Sequence, residues 1–136
     1  MIKEAIVDSG VFIGAKYPRD QHHEEALKIL ENFIEGEIKR IYITDYVLTE
    51  TVSFLLSKAG FNIADGAFDY LTETEGIEII KVEDFATIKS LFKKYKKLSI
   101  TDCSLVALGE KLKIKEIFSF DRNFESVKGI IRLTSL

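Results

Sequence analysis

A chain of 136 residues with 46% hydrophobic and 30% charged side chains has the size and composition of one soluble globular domain, residues 1–136, able to bury roughly two-thirds of its unfolded surface. A formal charge of −3 argues against wholesale electrostatic binding of nucleic acid, so any such contact must be local. The one cysteine, Cys103, excludes an internal disulfide and a multi-cysteine zinc centre; with no charged, apolar leader and no apolar run near the roughly 20 residues that span a bilayer, a cytoplasmic protein without a membrane segment is expected.

Residues 2–7 (IKEAIV) predict a first strand, ended by polar Asp8-Ser9-Gly10, so Asp8 stands at a strand's C-terminal end. After the Tyr17-Pro18 break, Asp20 is placed to cap a helix in which Ala26, Leu27, Leu30, Phe33 and Ile34 recur at helical spacing, with Gly36 as a stop. Residues 41–43 (IYI) predict a brief strand. Thr44 or Asp45 can cap the next helix, where Val47, Leu48, Thr51, Val52, Leu55 and Leu56 form a buried stripe and Glu50 lies beside it. A helix from Ile63 to Leu71, a strand over 77–82 (IEIIKV) and a helix carrying Phe85, Ile88, Leu91, Phe92 and Tyr95 come next. Beyond KKYKK at 93–97, Ser99-Ile100-Thr101-Asp102 leads a helix with Leu105, Val106, Leu108 and Leu112. Residues 117–120 (IFSF) predict a strand closed by Asp121, and 130–133 a last short one. Strands alternating with helices predict an α/β fold with a mostly parallel sheet covered on both sides, because parallel neighbours need a crossover that a helix supplies.

Four acids stand out: Asp8 closing AIVD, Glu50 inside TDYVLTETV, Asp102 in SITDCSLVAL and Asp121 closing IFSFD. A carboxylate crowded by apolar residues costs free energy, so an acid at the end of a buried strand usually serves a metal or catalysis. In open parallel sheets, ligands bind beyond the carboxyl ends of the strands. Asp8 and Asp121 arrive there from different strands, Asp102 sits in the first turn of a helix starting at that edge, and Glu50 has the longer side chain needed to reach back. Together they read as one metal site. Oxygen-only ligands suit Mg²⁺ or Mn²⁺ rather than zinc, and two such ions roughly 3.5 to 4 Å apart can activate water and stabilise the leaving oxygen of a phosphodiester. Without metal the carboxylates repel, and at least one is expected to hold a proton through a raised pKa. Each acid also has an ordinary structural reading. Asp102 follows Ser99 at capping-box spacing, Glu50 fits a solvated helix face, and Asp8 and Asp121 suit turns after strands.

With those residues placed, the sequence resembles, over essentially its whole length, the PIN-domain family of metal-dependent ribonucleases, and especially the VapC-type toxins of toxin–antitoxin pairs. The family's opening acid followed by Ser or Thr is matched by Asp8-Ser9 and its helix glutamate by Glu50 in VLTETV. Its third acid is matched by Asp102 in TDCSLVAL and its closing Thr-x-Asp by Ser119-Phe120-Asp121, within SFDRNF. Two positions depart: Gly10 stands where many members carry Asn or Ser, and Cys103 where a small residue, often Ala, is common. The resemblance implies a three-layer α/β/α fold and endonucleolytic cleavage of RNA, with Mg²⁺ or Mn²⁺ held by Asp8, Glu50, Asp102 and Asp121. Ser9 and Ser119 would orient ligands or water. It also implies a homodimer and an inhibiting antitoxin; apolar residues on the first two helices would serve equally as a pairing surface or as core. An RNA processing or decay nuclease, or an inactive RNA- or protein-binding scaffold, would leave nearly the same residues. A receiver-type phosphoacceptor is a weaker rival, since it needs an acidic pair after the first strand and Asp8 is followed by Ser9 and Gly10.

Lys93, Lys94, Lys96 and Lys97 lie beside the acids in sequence. Lys94 and Lys97, with Arg122 directly after Asp121, are candidates for contact with RNA phosphates; a solvated helix end with favourable dipole placement is the plainer reading of the lysines. His22 and His23 in DQHHEEA lack the spacing of HExxH, Cys103 reads as a small buried hydrophobe, and there is no P-loop or GxGxxG.

Overall fold

Five strands, β1 (Ile2–Val7), β2 (Ile38–Thr44), β3 (Ile77–Ile80), β4 (Glu116–Phe118) and β5 (Ile131–Leu133), form one wholly parallel sheet in the order β3-β2-β1-β4-β5 in the computed structural model, which describes residues 1–136. Six helices flank it: α1 (Ser9–Lys16), α2 (His23–Ile34), α3 (Asp45–Ala59), α4 (Phe61–Glu73), α5 (Phe85–Tyr95) and α6 (Ile100–Leu112), with a 3-10 turn at Arg122–Ser126. The chain steps outward from β1 to β2 to β3, then returns past them to β4 on the other side of β1. Right-handed crossovers therefore put α1 to α4 on one face and α5 and α6 on the other, a three-layer α/β/α arrangement.

β1 is the central strand, and its consecutive buried Ala5, Ile6 and Val7 are what a strand covered on both faces requires. Beside it, Val7 pairs with Phe118 of β4, and the Asp8 N–H donates to the Phe118 carbonyl at 3.0 Å. That bond extends the ladder by one residue. It fixes Asp8 at the C-terminal end of the β1–β4 seam, where the strand order reverses, the place where open parallel sheets leave a crevice.

Helix α1 was not expected, and the polar Asp8-Ser9-Gly10 is its start rather than a loop. Its composition, two glycines with Val and Ile, is poor for an isolated helix. Packing overrides propensity here: Val11, Phe12, Ile13 and Ala15 are buried, and Gly14 sits where a Cβ would come within 3.0 Å of the Ala26 Cβ, so α2 lies closely against α1. Asp20 does not cap α2. The helix begins at His23, while the Asp20 carboxylate accepts the His22 N–H at 2.8 Å in the turn before it. Thr44 is the cap of α3, its hydroxyl accepting the Val47 N–H, and Asp45 instead accepts the Val82 N–H at 2.8 Å. Within α3, Val47, Thr51 and Leu55 are buried as expected, but Leu56 is 54% exposed, because it falls one residue past the inward stripe. The strands predicted over 77–82 and 117–120 stop at Ile80 and Phe118, leaving Ser119 and Phe120 in the loop that leads to Asp121.

Candidate active site

Asp8 is the N-cap of α1 and only 6% exposed. Its Oδ1 accepts the Ser9 N–H at 2.8 Å and its Oδ2 accepts the Ser119 hydroxyl at 2.7 Å. The Ser9 hydroxyl in turn donates to Glu50 Oε1 at 2.6 Å, across 41 residues of chain, and Ser119 Oγ accepts the Asp121 N–H at 3.0 Å. A continuous path of hydrogen bonds thus joins Glu50, Ser9, Asp8, Ser119 and Asp121. Glu50 occupies the second turn of α3 and is exposed, as a residue reaching back to the edge must be.

Asp102 enters through charge rather than through that path. It lies in the first turn of α6 and forms a reciprocal capping box: the Ser99 N–H donates to Asp102 Oδ2 at 2.9 Å, and the Asp102 N–H donates to Ser99 Oγ at 3.0 Å. The structural reading of this acid is therefore true, and it does not exhaust the residue. Burial raises the Asp102 carboxyl, the Ser99 hydrogen bonds oppose that, and the charges of Asp121 and Glu50 raise it further. Asp8 is pushed up to about 7, first by burial and then by the charge of Asp102, against the lowering hydrogen bonds of Ser119 and Ser9; Glu50 adds a smaller push. The charges of Asp102 and Glu50 thus act on Asp8, and those of Asp121 and Glu50 on Asp102.

No group of three or more Asp, Glu, His or Cys side chains already stands close enough to grip a metal ion. One oxygen each of Glu50, Asp102 and Asp121 and both of Asp8 take an N–H or O–H from the protein. The second oxygens of Glu50, Asp102 and Asp121 accept nothing from it. An all-oxygen, negatively charged donor set with open lone pairs fits a hard divalent cation. The four acids line an open edge of the sheet. A depression of about 720 Å³, bordered by Thr44, Val82, Asp84, Thr87, Leu108 and Lys111, has none of the four in its lining.

Lys94, Lys97 and Arg122 are all exposed. The Lys97 carbonyl accepts the Asn123 side-chain N–H at 3.4 Å, which brings the lysine turn against the loop that carries Asp121 and Arg122. Lys94 Nζ instead lies over the Tyr95 ring, 5.2 Å from its centroid. His22 stacks on Phe120, ring centroids 4.2 Å apart, and His23 Nδ1 bonds the Gly14 carbonyl at 2.7 Å, so both histidines have packing roles. Burial, helped by the charge of Asp102, pushes the Cys103 thiol up and away from nucleophilic chemistry.

Two supporting contacts had no signal in the sequence. The Ser104 hydroxyl donates to the Thr101 carbonyl at 2.6 Å, so the hydrogen of its 2.8 Å bond with Thr44 must come from Thr44; this buried pair ties the start of α3, which carries Glu50, to α6, which carries Asp102. Arg132 of β5 donates to the Ser119 carbonyl at 3.0 Å.

The PIN-domain model matches residues 5–130. A VapC ribonuclease of Archaeoglobus fulgidus is 32% identical over 125 residues, covering 88% of this chain and 78% of that protein. Among solved structures, Mycobacterium tuberculosis VapC20, a sarcin-ricin-loop-cleaving toxin, superposes with a TM-score of 0.74 at 17% identity, covering 90% of this chain and 93% of the other. VapBC2 from Rickettsia felis, bound to a DNA fragment from their promoter, gives a TM-score of 0.69 at 11% identity, covering 96% and 97%. A family match over residues 5–130 and a relative 32% identical across 88% of the chain leave one conclusion: the chain belongs to the PIN-domain family and is similar to a VapC ribonuclease.

Proposed function

We propose that residues 1–136 act as a Mg²⁺- or Mn²⁺-dependent endoribonuclease, the toxin of a toxin–antitoxin pair. The observation that carries this reading is the hydrogen-bonded path through Ser9 and Ser119 that joins Glu50, Asp8 and Asp121, with Asp102 coupled to it by charge. The Archaeoglobus fulgidus relative, itself a VapC ribonuclease, supports RNA as the substrate class. Asp8, Glu50, Asp102 and Asp121 would hold the metal, which when bound supplies neutralising charge on the phosphodiester and an activated water.

The chain's own residues account for the rest. Ser9 holds the Glu50 carboxylate beside Asp8, and Ser119 holds the Asp8 carboxylate while accepting the Asp121 backbone N–H, so the Glu50 and Asp8 side chains and the Asp121 backbone are restrained before a cation arrives. Asp8, with its carboxyl pushed up to about 7, holds a proton below that pH and would give it up to the positive charge of a bound cation. Lys97 and Arg122 would take RNA phosphates that the acids repel, with Lys94 further along the same helix end. The working form would be a cytoplasmic homodimer restrained by an antitoxin.

Purified protein incubated with RNA and Mn²⁺ tests this. Internal cleavage that is lost with chelator and with Asp8→Asn is the expected result. RNA that stays intact at every Mn²⁺ and Mg²⁺ concentration would leave only a binding module on the same fold.

A further inference from the structure

The three residues after β4 carry two groups of the site, and something outside the site holds them. Ser119 is fully buried; its hydroxyl serves Asp8 and Asp121, while its carbonyl faces the other way and accepts Arg132 Nη1 at 3.0 Å. The Arg132 side chain is 15% exposed, and its remaining N–H groups reach Glu125 Oε1, from Nε at 3.2 Å and from Nη2 at 2.8 Å. Glu125 belongs to the 3-10 turn that follows Asp121. One guanidinium on β5 therefore spans both ends of the segment that presents Asp121. Phe120, between them, stacks on the His22 ring. A half-exposed ion pair contributes little by charge alone, and Arg132 touches none of the four acids; what it provides is a planar fork that joins the Ser119 backbone carbonyl to the Glu125 side chain.

We propose that Arg132 is a positioning residue, which holds Ser119, and through it Asp8 and Asp121, at the sheet edge where the acids would converge on a cation. This rests on the reading of the acids as the reaction site. A lysine cannot replace it, since an ammonium lacks the fork that reaches the Ser119 carbonyl and Glu125 together.

The test compares wild-type protein with Arg132→Ala, Arg132→Lys and Glu125→Gln by amide hydrogen exchange, Mn²⁺ calorimetry and RNA cleavage kinetics. In Arg132→Ala the Asp121 amide should exchange faster while the Ile41 and Ile43 amides of β2 stay protected. Mn²⁺ affinity and kcat should fall about ten- to a hundredfold, with KM for RNA within about twofold, as expected when a group orienting metal ligands is lost. Added guanidinium ion should restore part of both. Glu125→Gln, which keeps the bond to the Ser119 carbonyl, should lose much less. If Arg132→Ala is too unstable to assay, Arg132→Lys keeps the packed stem and should show the same pattern. Unchanged exchange at Asp121 would overturn the proposal, as would a rise in KM alone, the mark of a phosphate contact. If wild-type protein neither binds Mn²⁺ nor cleaves RNA, the site reading fails, and exchange at Asp121 still decides whether Arg132 holds the segment.

Discussion

Replacing Asp8 with Asn should make the metal-free protein more stable near neutral pH, even though it removes the most central acid of the site. Burial and the charge of Asp102 set the folded carboxyl at about 7, against 3.8 for an ordinary aspartate. At about 1.4 kcal/mol per unit, ionising Asp8 in the fold costs about 4 kcal/mol once the pH is above both values. Between 3.8 and about 7 the folded state binds a proton that the unfolded state has released, so stability falls as pH rises through that window and levels off above it. Asn keeps an acceptor for the Ser9 N–H but meets the Ser119 hydroxyl with an amide, a loss of about 1 kcal/mol. The net gain near pH 8 is then about 3 kcal/mol, roughly 10 °C in melting temperature for a chain of this length. Near pH 4 the gain should vanish. Thermal scans in chelator across that range measure the difference directly. Mn²⁺ at about a thousand times its dissociation constant should reverse the order, because wild type then gains about 4.1 kcal/mol and the variant does not. An Asp8→Asn protein that melts below wild type at about pH 8 without metal, or a difference that ignores pH, would refute the burial and repulsion argued for this carboxyl.

Three other perturbations follow from the geometry. Ser99→Ala removes half of the capping box and should lower stability by about 1 kcal/mol, read as a shifted urea midpoint with an unchanged slope. Gly14→Val should destabilise by about 1 to 3 kcal/mol because the new Cβ meets Ala26 at 3.0 Å, whereas Gly10→Ala, with nothing within 4 Å, should be neutral or stabilising by up to about 1 kcal/mol in thermal melts. Lys97→Ala and Arg122→Ala should each weaken RNA binding across unrelated sequences and reduce the slope of log affinity against log salt by about 1, while a variant at exposed Lys113, at the opposite end of α6 from Asp102, should leave that slope alone.

Much of the site was legible because local chemistry and global topology agree there. An apolar run that ends in Asp8, a second that leads to Asp121, and a Ser99-x-x-Asp102 helix start each place an acid at the same sheet edge once the strands are parallel. Helix α1 was hidden because its glycines and β-branched residues deny it intrinsic propensity; it forms because Asp8 caps it and Phe12 and Ile13 have a core to enter. The Asp20 cap failed for a related reason, since the turn after Pro18 uses that carboxylate for the His22 N–H and lets α2 begin three residues later. Arg132 and the Thr44–Ser104 pair were invisible because their partners lie elsewhere in the chain, 60 residues apart for the hydroxyl pair, and no spacing rule links residues that meet only after the sheet is assembled.

Titration with Mn²⁺ by calorimetry at neutral pH, on wild type and on Asp8→Asn, Glu50→Gln, Asp102→Asn and Asp121→Asn, bears most directly on whether the four carboxylates share one cation site. The expected result is binding by wild type with proton release, seen as a heat that varies with buffer, and affinity at least about tenfold weaker in each variant. Two or more variants that bind Mn²⁺ as tightly as wild type would contradict it, for those carboxylates would then serve the fold alone.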